Sequence, residues 1–171
     1  MRTIRSFARS FGDRPAELVM LLVFAAGFAG CSAESTPVKL PPGATLEVFT
    51  IAAAKDANTT EAVDPATGGA IFLQTPPVIT TADVATITRS AAEYGAANGE
   101  SKEHPALLVE LTPAGATKMA TATANSIGEP MAVVINGQVV AMPKVMTPIR
   151  SSFQISGDAL VTSAIEALTK P

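Results

Sequence analysis

The sequence has 171 residues, of which 47% are hydrophobic and 16% charged, with no tryptophan, one tyrosine and one cysteine. Residues 1–30 hold four of the 12 basic residues and two of the 15 acidic ones, which leaves 8 against 13 in residues 31–171. This acidic balance lacks the clustered lysine and arginine that nucleic-acid binding requires, so we predict no nucleic-acid partner.

The first 30 residues have the organisation of a secretory signal. Four arginines precede an apolar run from Leu18 to Gly30, and this run ends in small residues. Its 13 residues fall short of the roughly 20 that a membrane-spanning helix needs. We therefore predict export of the chain and no permanent transmembrane anchor.

The quartet Phe28-Ala29-Gly30-Cys31 resembles the bacterial lipobox, with phenylalanine in place of the usual leucine. The resemblance implies that residues 1–30 are a lipoprotein signal peptide and that Cys31 becomes the lipidated first mature residue. Two or more acyl chains give stable membrane attachment. Ser32 is not the aspartate that often retains such proteins in the inner membrane, which favours the periplasmic leaflet of the outer membrane. The alternative is a cytosolic chain in which Cys31 is a buried thiol.

A change of composition separates a tether from a single domain. Residues 31–44 are rich in serine, threonine and proline, and prolines at 37, 41 and 42 disfavour regular structure, so we predict an extended tether. Apolar segments then recur through residues 45–171 without a second linker of similar length. This predicts one domain over residues 45–171.

The first half of that domain is predicted to contain two strands and a helix. Leu46–Ile51 and Ala70–Gln74 are apolar runs typical of strands, and the polar stretch Lys55–Gly69 between them predicts a loop. Thr80 or Thr81 is suited to cap a helix, with an acidic residue in its first turn. The residues assigned to this helix are Asp83, Val84, Ile87, Ala91 and Tyr94, with Gly95 as its end.

The second half carries clearer signals. Ala106–Leu111 predicts a strand, and Thr112 with Pro113 predicts the start of a helix. Two β-branched runs, Met131–Ile135 and Gln138–Met142, flank the dipeptide that type I′ turns prefer and so predict a hairpin. A strand at Phe153–Ser156 and a helix from about Asp158 to Leu168 complete the pattern. The order predicts an α+β fold with an antiparallel or mixed sheet and about three helices packed on one face.

A set of residues in these segments forms one ordered pattern: Ile71-Phe72-Leu73, Pro77-Val78-Ile79-Thr80, Val109-Glu110-Leu111-Thr112, Gly115, Thr121, Asn125, Gly128, Met131 to Gly137, Val139, Pro143, Ile149 and Ile155-Ser156-Gly157. In this order they resemble the head subdomain of the first periplasmic domain of the protein-export subunit SecD. The likeness covers most of residues 45–169. The resemblance implies a SecD-head-like fold that contacts exposed polypeptide or a neighbouring envelope protein, and it leaves a link to protein export open.

The energy-coupling role of that family does not carry over. In SecD, transmembrane helices couple proton flow to export, whereas no apolar stretch of about 20 residues follows residue 30 here. We predict a non-enzymatic, membrane-anchored envelope lipoprotein that needs no cofactor and binds a protein or an extended polypeptide. The predicted binding edge is the strand Gln138, Val139, Val140, Ala141 and Met142, because a strand edge can pair with an extended peptide.

The main alternative is a small envelope hydrolase or metal-dependent enzyme centred on His104. Glu100 and Glu103 lie beside this histidine in sequence. A single histidine in the charged segment 101–104 is more typical of a solvated loop, and the chain has no HExxH, CxxC or GxSxG motif. We therefore predict neither a catalytic group nor a metal site. An architectural spacer without a specific ligand is a third interpretation.

Two further clusters have alternative interpretations. Asp56, Asn58, Glu61 and Asp64 can be read as a weak calcium site, but their spacing is not that of an EF-hand, so a solvated loop is favoured. Methionines can form an adaptable binding surface or fill a core. The positions of Met119, Met131, Met142 and Met146 favour core filling.

Overall fold

Eight strands and two α-helices occupy the part of the chain that the computed structural model describes, residues 36–95, 101–157 and 159–169. The strands are β1 (Leu46–Ala52), β2 (Thr59–Val63), β3 (Ala70–Gln74), β4 (Val84–Gly95), β5 (Ser101–Leu111), β6 (Met131–Ile135), β7 (Gln138–Ala141) and β8 (Ser152–Ser156). The helices are α1 (Pro113–Asn125) and α2 (Ala159–Thr169), and a 3₁₀ turn covers Thr81–Asp83.

The strands form two antiparallel sheets. One sheet has five strands in the order β2-β3-β1-β6-β7, and the other has three in the order β4-β5-β8. The predicted α+β class with antiparallel strands is confirmed. The predicted helix count is wrong, since the described residues contain two α-helices and not about three.

The missing helix is the one predicted after residue 80. Thr80 and Asp83 do form a capped turn, but the turn is a single 3₁₀ turn that leads directly into strand β4. The spacing of Val84 and Ile87 fits one face of a helix. The β-branched residues at 84 and 86–88, however, favour extended structure. Pairing with β5 along its whole length stabilises β4 as a strand.

Strand β2 lies in the stretch predicted to be a loop. Its residues are mostly polar and mostly exposed, so their sequence carries no apolar alternation. The strand exists because every residue from Thr59 to Val63 pairs with β3. Tertiary pairing decides the structure here, and local sequence does not.

The predicted hairpin, helix start and final elements are confirmed. Asn136 and Gly137 have positive φ angles of 50° and 79°, as a type I′ turn requires, and they join β6 to β7. The Thr112 hydroxyl accepts a hydrogen bond from the Gly115 backbone N–H at 3.1 Å, which caps α1 with Pro113 in its first turn. Strand β8 and helix α2 occur within a residue or two of their predicted bounds.

Apolar residues lie on both faces of the five-stranded sheet. On one face, side chains of β1 and β6 pack with the three-stranded sheet and with both helices. On the other, a smaller cluster of Phe49, Leu73, Ala132, Val134 and Val139 is formed by the sheet itself. Consequently all five residues of β6 are buried, and the sequence of this strand shows no alternation.

We expect replacement of Asn136 by alanine to lower the free energy of unfolding by about 1–2 kcal/mol. The Asn136 side-chain oxygen accepts a hydrogen bond from the Thr45 backbone N–H at 2.9 Å, and alanine cannot accept it. Alanine also tolerates the positive φ angle less well. Urea unfolding checks this, with N125A on the exposed end of α1 as a control expected to stay within about 0.5 kcal/mol of the parent.

Candidate functional site

The outer edge of β7 presents backbone hydrogen-bonding groups without a strand partner. Among the described residues, β7 ends the five-stranded sheet and has a strand neighbour, β6, on one side only. The tight turn makes Ile135 and Gln138 the first hydrogen-bonded pair, so Val139, opposite Val134, directs its N–H and C=O away from β6. The predicted edge Gln138–Met142 thus lies at an edge, although Met142 falls just beyond the strand.

Strand β2 forms the opposite end of the same sheet. The Asp64 N–H donates to the Gly69 carbonyl and the Thr75 N–H to the Asn58 carbonyl, both at 2.8 Å. Since hydrogen-bonded pairs alternate along an antiparallel ladder, the backbone groups of Glu61 and Val63 point away from β3. Two outward-facing strand edges therefore exist in one sheet.

A cavity of about 560 Å³ brings these two edges together. It is lined on one side by the end of β2 and the turn after it, and on the other by the start of β7; the lining residues are Glu61 to Pro65, Gly68 and Gly137 to Val139. Val63 is 63% exposed although it is a large apolar residue. The cavity offers backbone donors and acceptors beside apolar surface, which is the chemistry that an extended peptide needs.

The acidic residues in and near this cavity form hydrogen bonds or ion pairs with residues close to them in sequence. The Asp56 carboxylate accepts a hydrogen bond from the Asn58 backbone N–H at 2.7 Å, and Glu61 forms an ion pair with Lys55 at 2.8 Å. A hydrogen bond from the Thr67 hydroxyl, followed by one from the Ala66 N–H, lowers the pKa of Asp64. Within the described residues, no three carboxylate, histidine or cysteine side chains converge as metal ligands.

His104 lies on strand β5, and the segment 101–104 is not the loop that the sequence predicted. It is opposite Ala92 of β4 and is partly buried. Glu100 lies outside the described residues, and so does the side chain of Glu103.

Among the residues whose burial the structure describes, the most buried carboxylate is Asp83, and no sequence motif predicts its role. It is 5% exposed, and its carboxylate accepts hydrogen bonds from Lys118 Nζ at 2.8 and 2.9 Å and from the Thr80 backbone N–H at 3.0 Å. Burial acts to raise the pKa of Asp83, but the hydrogen bonds from Lys118 and Thr80 outweigh it, so the pKa lies below its ordinary value. The contact ties the 3₁₀ turn to α1 across 35 residues, a separation that no local motif signals.

A second cavity, apolar and about 190 Å³ in volume, lies on the other face of the sheet. Met119, Met131 and Met146 line it together with the segment 143–149, and Met119 and Met131 are buried as predicted. Met146 is 74% exposed, so the predicted core-filling role is wrong for this residue. Met142 packs against the smaller apolar cluster on the opposite face.

Residues 1–35, which include Cys31 and the predicted signal peptide, lie outside the described residues. In the part of the chain that the structure does describe, no helix combines the length and apolarity needed to cross a bilayer.

The model of the "SecDF, P1 head subdomain" matches residues 57–167, well over half of the chain. A search of curated proteins gives no match.

Two solved structures of SecDF are similar to this chain, each with 23% sequence identity and a TM-score of 0.45. In one, the crystal structure of SecDF in its super-membrane-facing form, the match covers 71% of this chain and 17% of that chain. In the other, a membrane component SecDF that enhances protein export, it covers 73% of this chain and 60% of that chain. The chain thus spans less than two thirds of either protein, and its family assignment depends on the family model. By that match, the chain belongs to the SecDF P1 head subdomain family.

Proposed function

We propose that this chain is an exported lipoprotein, anchored through Cys31, whose head domain binds an extended polypeptide along the outer edge of β7. The observation that carries the proposal is the position of β7 at the end of its sheet, with the backbone groups of Val139 directed outward. An extended peptide can add a strand to such an edge, because its main chain satisfies these groups.

The cavity between the ends of the sheet supports the same proposal. A segment that pairs with Val139 enters a space where Glu61 and Val63 also present backbone groups. Main-chain pairing depends little on the sequence of the peptide, so this binding suits a module that meets many polypeptides. The proposed activity is binding alone, without catalysis or a cofactor.

A link to protein export is part of the proposal. One SecDF structure is described as a component that enhances protein export, and this chain carries the head subdomain of that family. We propose that the chain contacts exported polypeptides, or an envelope protein that handles them, at the periplasmic leaflet of the outer membrane. Its attachment is the lipid on Cys31.

The anchor is tested by replacing Cys31 with alanine. We expect the parent chain to fractionate with membranes and its first residue to carry acyl chains, because stable attachment requires two or more of them. C31A should leave the membrane fraction. Mass spectrometry of chain from its native host reads the modification, and an unprocessed amino terminus with an unmodified thiol would contradict the anchor.

The binding edge is tested by photocrosslinking in living cells. We expect a photoreactive residue in place of Gln138, which is exposed at the start of β7, to trap a polypeptide. The matched control is the same residue in place of Thr117, which is exposed on α1. Recovery of uncrosslinked chain from both positions, or equal crosslinking from both, would refute the proposed edge.

A further inference from the structure

The apolar cavity on the α1 side of the sheet has a buried floor and an open mouth. Met119, Met131 and Val133 are each 3% exposed or less and form its floor. Met146 and Thr147 are exposed and lie at its mouth. The lining is therefore apolar within and accessible from solvent.

The cavity volume suits a single ring or branched aliphatic group. It is about 190 Å³, and an apolar cavity of about 150 Å³ in a protein core can bind benzene. Methionine side chains are flexible and polarizable, so their floor can adapt to groups of different shape. A leucine or phenylalanine side chain fits these dimensions.

Hydrogen bonds hold the segment 143–149 at both ends. The Val145 N–H donates to the Glu129 carbonyl at 2.9 Å, and the Val145 carbonyl accepts from the Gly128 N–H at 2.8 Å. The Ile149 N–H donates to the hydroxyl of the buried Thr123 at 2.9 Å. Residues 146–148, between these attachments, are exposed. The segment is thus fixed beside the cavity without filling it.

Lys144 is the only charged residue among the described residues that line this cavity, and it is exposed. An apolar group that enters the cavity with a carboxylate beside it would place that carboxylate near a cation. A lysine or arginine beside the entering group, in place of the carboxylate, would be repelled by Lys144. Lys144 would therefore favour an acidic over a basic residue beside the apolar group that enters the cavity.

We infer that this cavity receives one leucine- or phenylalanine-sized side chain of a bound polypeptide, with an acidic residue next to it. The inference depends on the proposed function for the polypeptide, and it adds a side-chain specificity to the main-chain pairing at β7. Pro143, which lines the cavity, follows the end of β7 by two residues, so both sites belong to one continuous stretch of chain.

The test uses ¹³C-methyl methionine NMR of the full chain with short blocked peptides. We expect a peptide with adjacent phenylalanine and glutamate to shift the methyl signals of Met119 and Met131, while that of Met142 stays in place. Replacing the phenylalanine of the peptide by serine should weaken binding about ten- to hundredfold, because the buried apolar area is lost. Absence of any shift at Met119 and Met131 at saturating peptide would overturn the inference.

The charge preference is tested with matched variants. We expect K144E to bind the phenylalanine–glutamate peptide several-fold more weakly than the parent does, and to favour a phenylalanine–lysine peptide. R150E makes the same change of net charge at an exposed residue outside the cavity lining, and should leave both affinities unchanged. Equal effects of the two variants would contradict the inference.

The backbone amide of Val139 separates this inference from the proposed function. If an unfolded polypeptide changes the Val139 amide and leaves the methyl groups of Met119 and Met131 unaffected, the cavity inference fails and the edge proposal stands. If Val139 shows no response while the methyl groups shift, the edge proposal fails and the cavity remains a side-chain site.

Discussion

Replacing Gly115 by alanine is expected to lower the free energy of unfolding by about 2–3 kcal/mol. A Cβ atom at this position would lie 2.6 Å from the Asp83 carbonyl oxygen and 2.8 Å from the Asp83 Cβ. Neither atom can move freely, because the Asp83 carbonyl accepts a hydrogen bond from the Thr112 N–H at 2.9 Å. The first turn of α1 would have to separate from the 3₁₀ turn. Urea unfolding measured by circular dichroism checks this value.

The matched control is G69A in the turn before β3. A Cβ atom there would meet only the Thr67 hydroxyl oxygen, at 3.3 Å, and this side chain is exposed. We expect G69A to remain within about 0.5 kcal/mol of the parent. If both variants unfolded at the same urea concentration as the parent, the close contact between α1 and the 3₁₀ turn would not exist in solution.

Replacing Asp83 by asparagine is the second large effect that we expect, with a loss of about 1–3 kcal/mol of unfolding free energy at pH 7. Asparagine preserves the shape but removes the negative charge that accepts hydrogen bonds from Lys118 and Thr80. The partly exposed Lys118 can be solvated by water, which limits the loss. Thermal and urea unfolding at pH 7 check this effect.

The same carboxylate gives the stability a dependence on acid. Because the folded-state pKa of Asp83 lies below its ordinary value of 3.8, the unfolded chain binds more protons in this range. The contribution of Asp83 is therefore complete above that ordinary value and is lost as the pH falls through the lower, folded-state pKa. We expect the difference in stability between the parent and D83N to shrink over that window.

The control for this pH series is E166Q, at an exposed position of α2. Its unfolding free energy at pH 7 should remain within about 0.5 kcal/mol of that of the parent. A difference between the parent and D83N that stayed constant from pH 7 to strong acid would show that the ion pair with Lys118 does not form.

Elements with local signals could be predicted from the sequence. Asn136 and Gly137 tolerate the positive φ angles of a type I′ turn, and Thr112 with Pro113 supplies a helix cap, so the hairpin and α1 follow from a few residues. For strand β4 the sequence predicts a helix, because the three-residue spacing of Val84 and Ile87 fits a helical face and not the alternation of a strand. Pairing with β5 makes the segment a strand.

The candidate sites depend on contacts that the sequence does not encode locally. The edge at β7 could be proposed from the hairpin alone. That β7 and β2 line one cavity could not be proposed in this way, because it depends on how all five strands pair. Strand β2 carries no apolar pattern, and this segment is a strand because it pairs with β3. Likewise, the cavity lined by Met119 and Met146 depends on how the segment 143–149 packs, which the spacing of methionines does not reveal.

The central claim is that an extended polypeptide pairs with the outer edge of β7. Amide hydrogen exchange of the full chain, with and without a reduced and permanently unfolded polypeptide such as carboxymethylated lactalbumin, tests this claim most directly. We predict that bound polypeptide slows exchange at Val139, whose N–H points away from β6, and leaves Val134, which is paired with β1, unchanged. Binding with no change in exchange at Val139, or no binding at all, would contradict the claim.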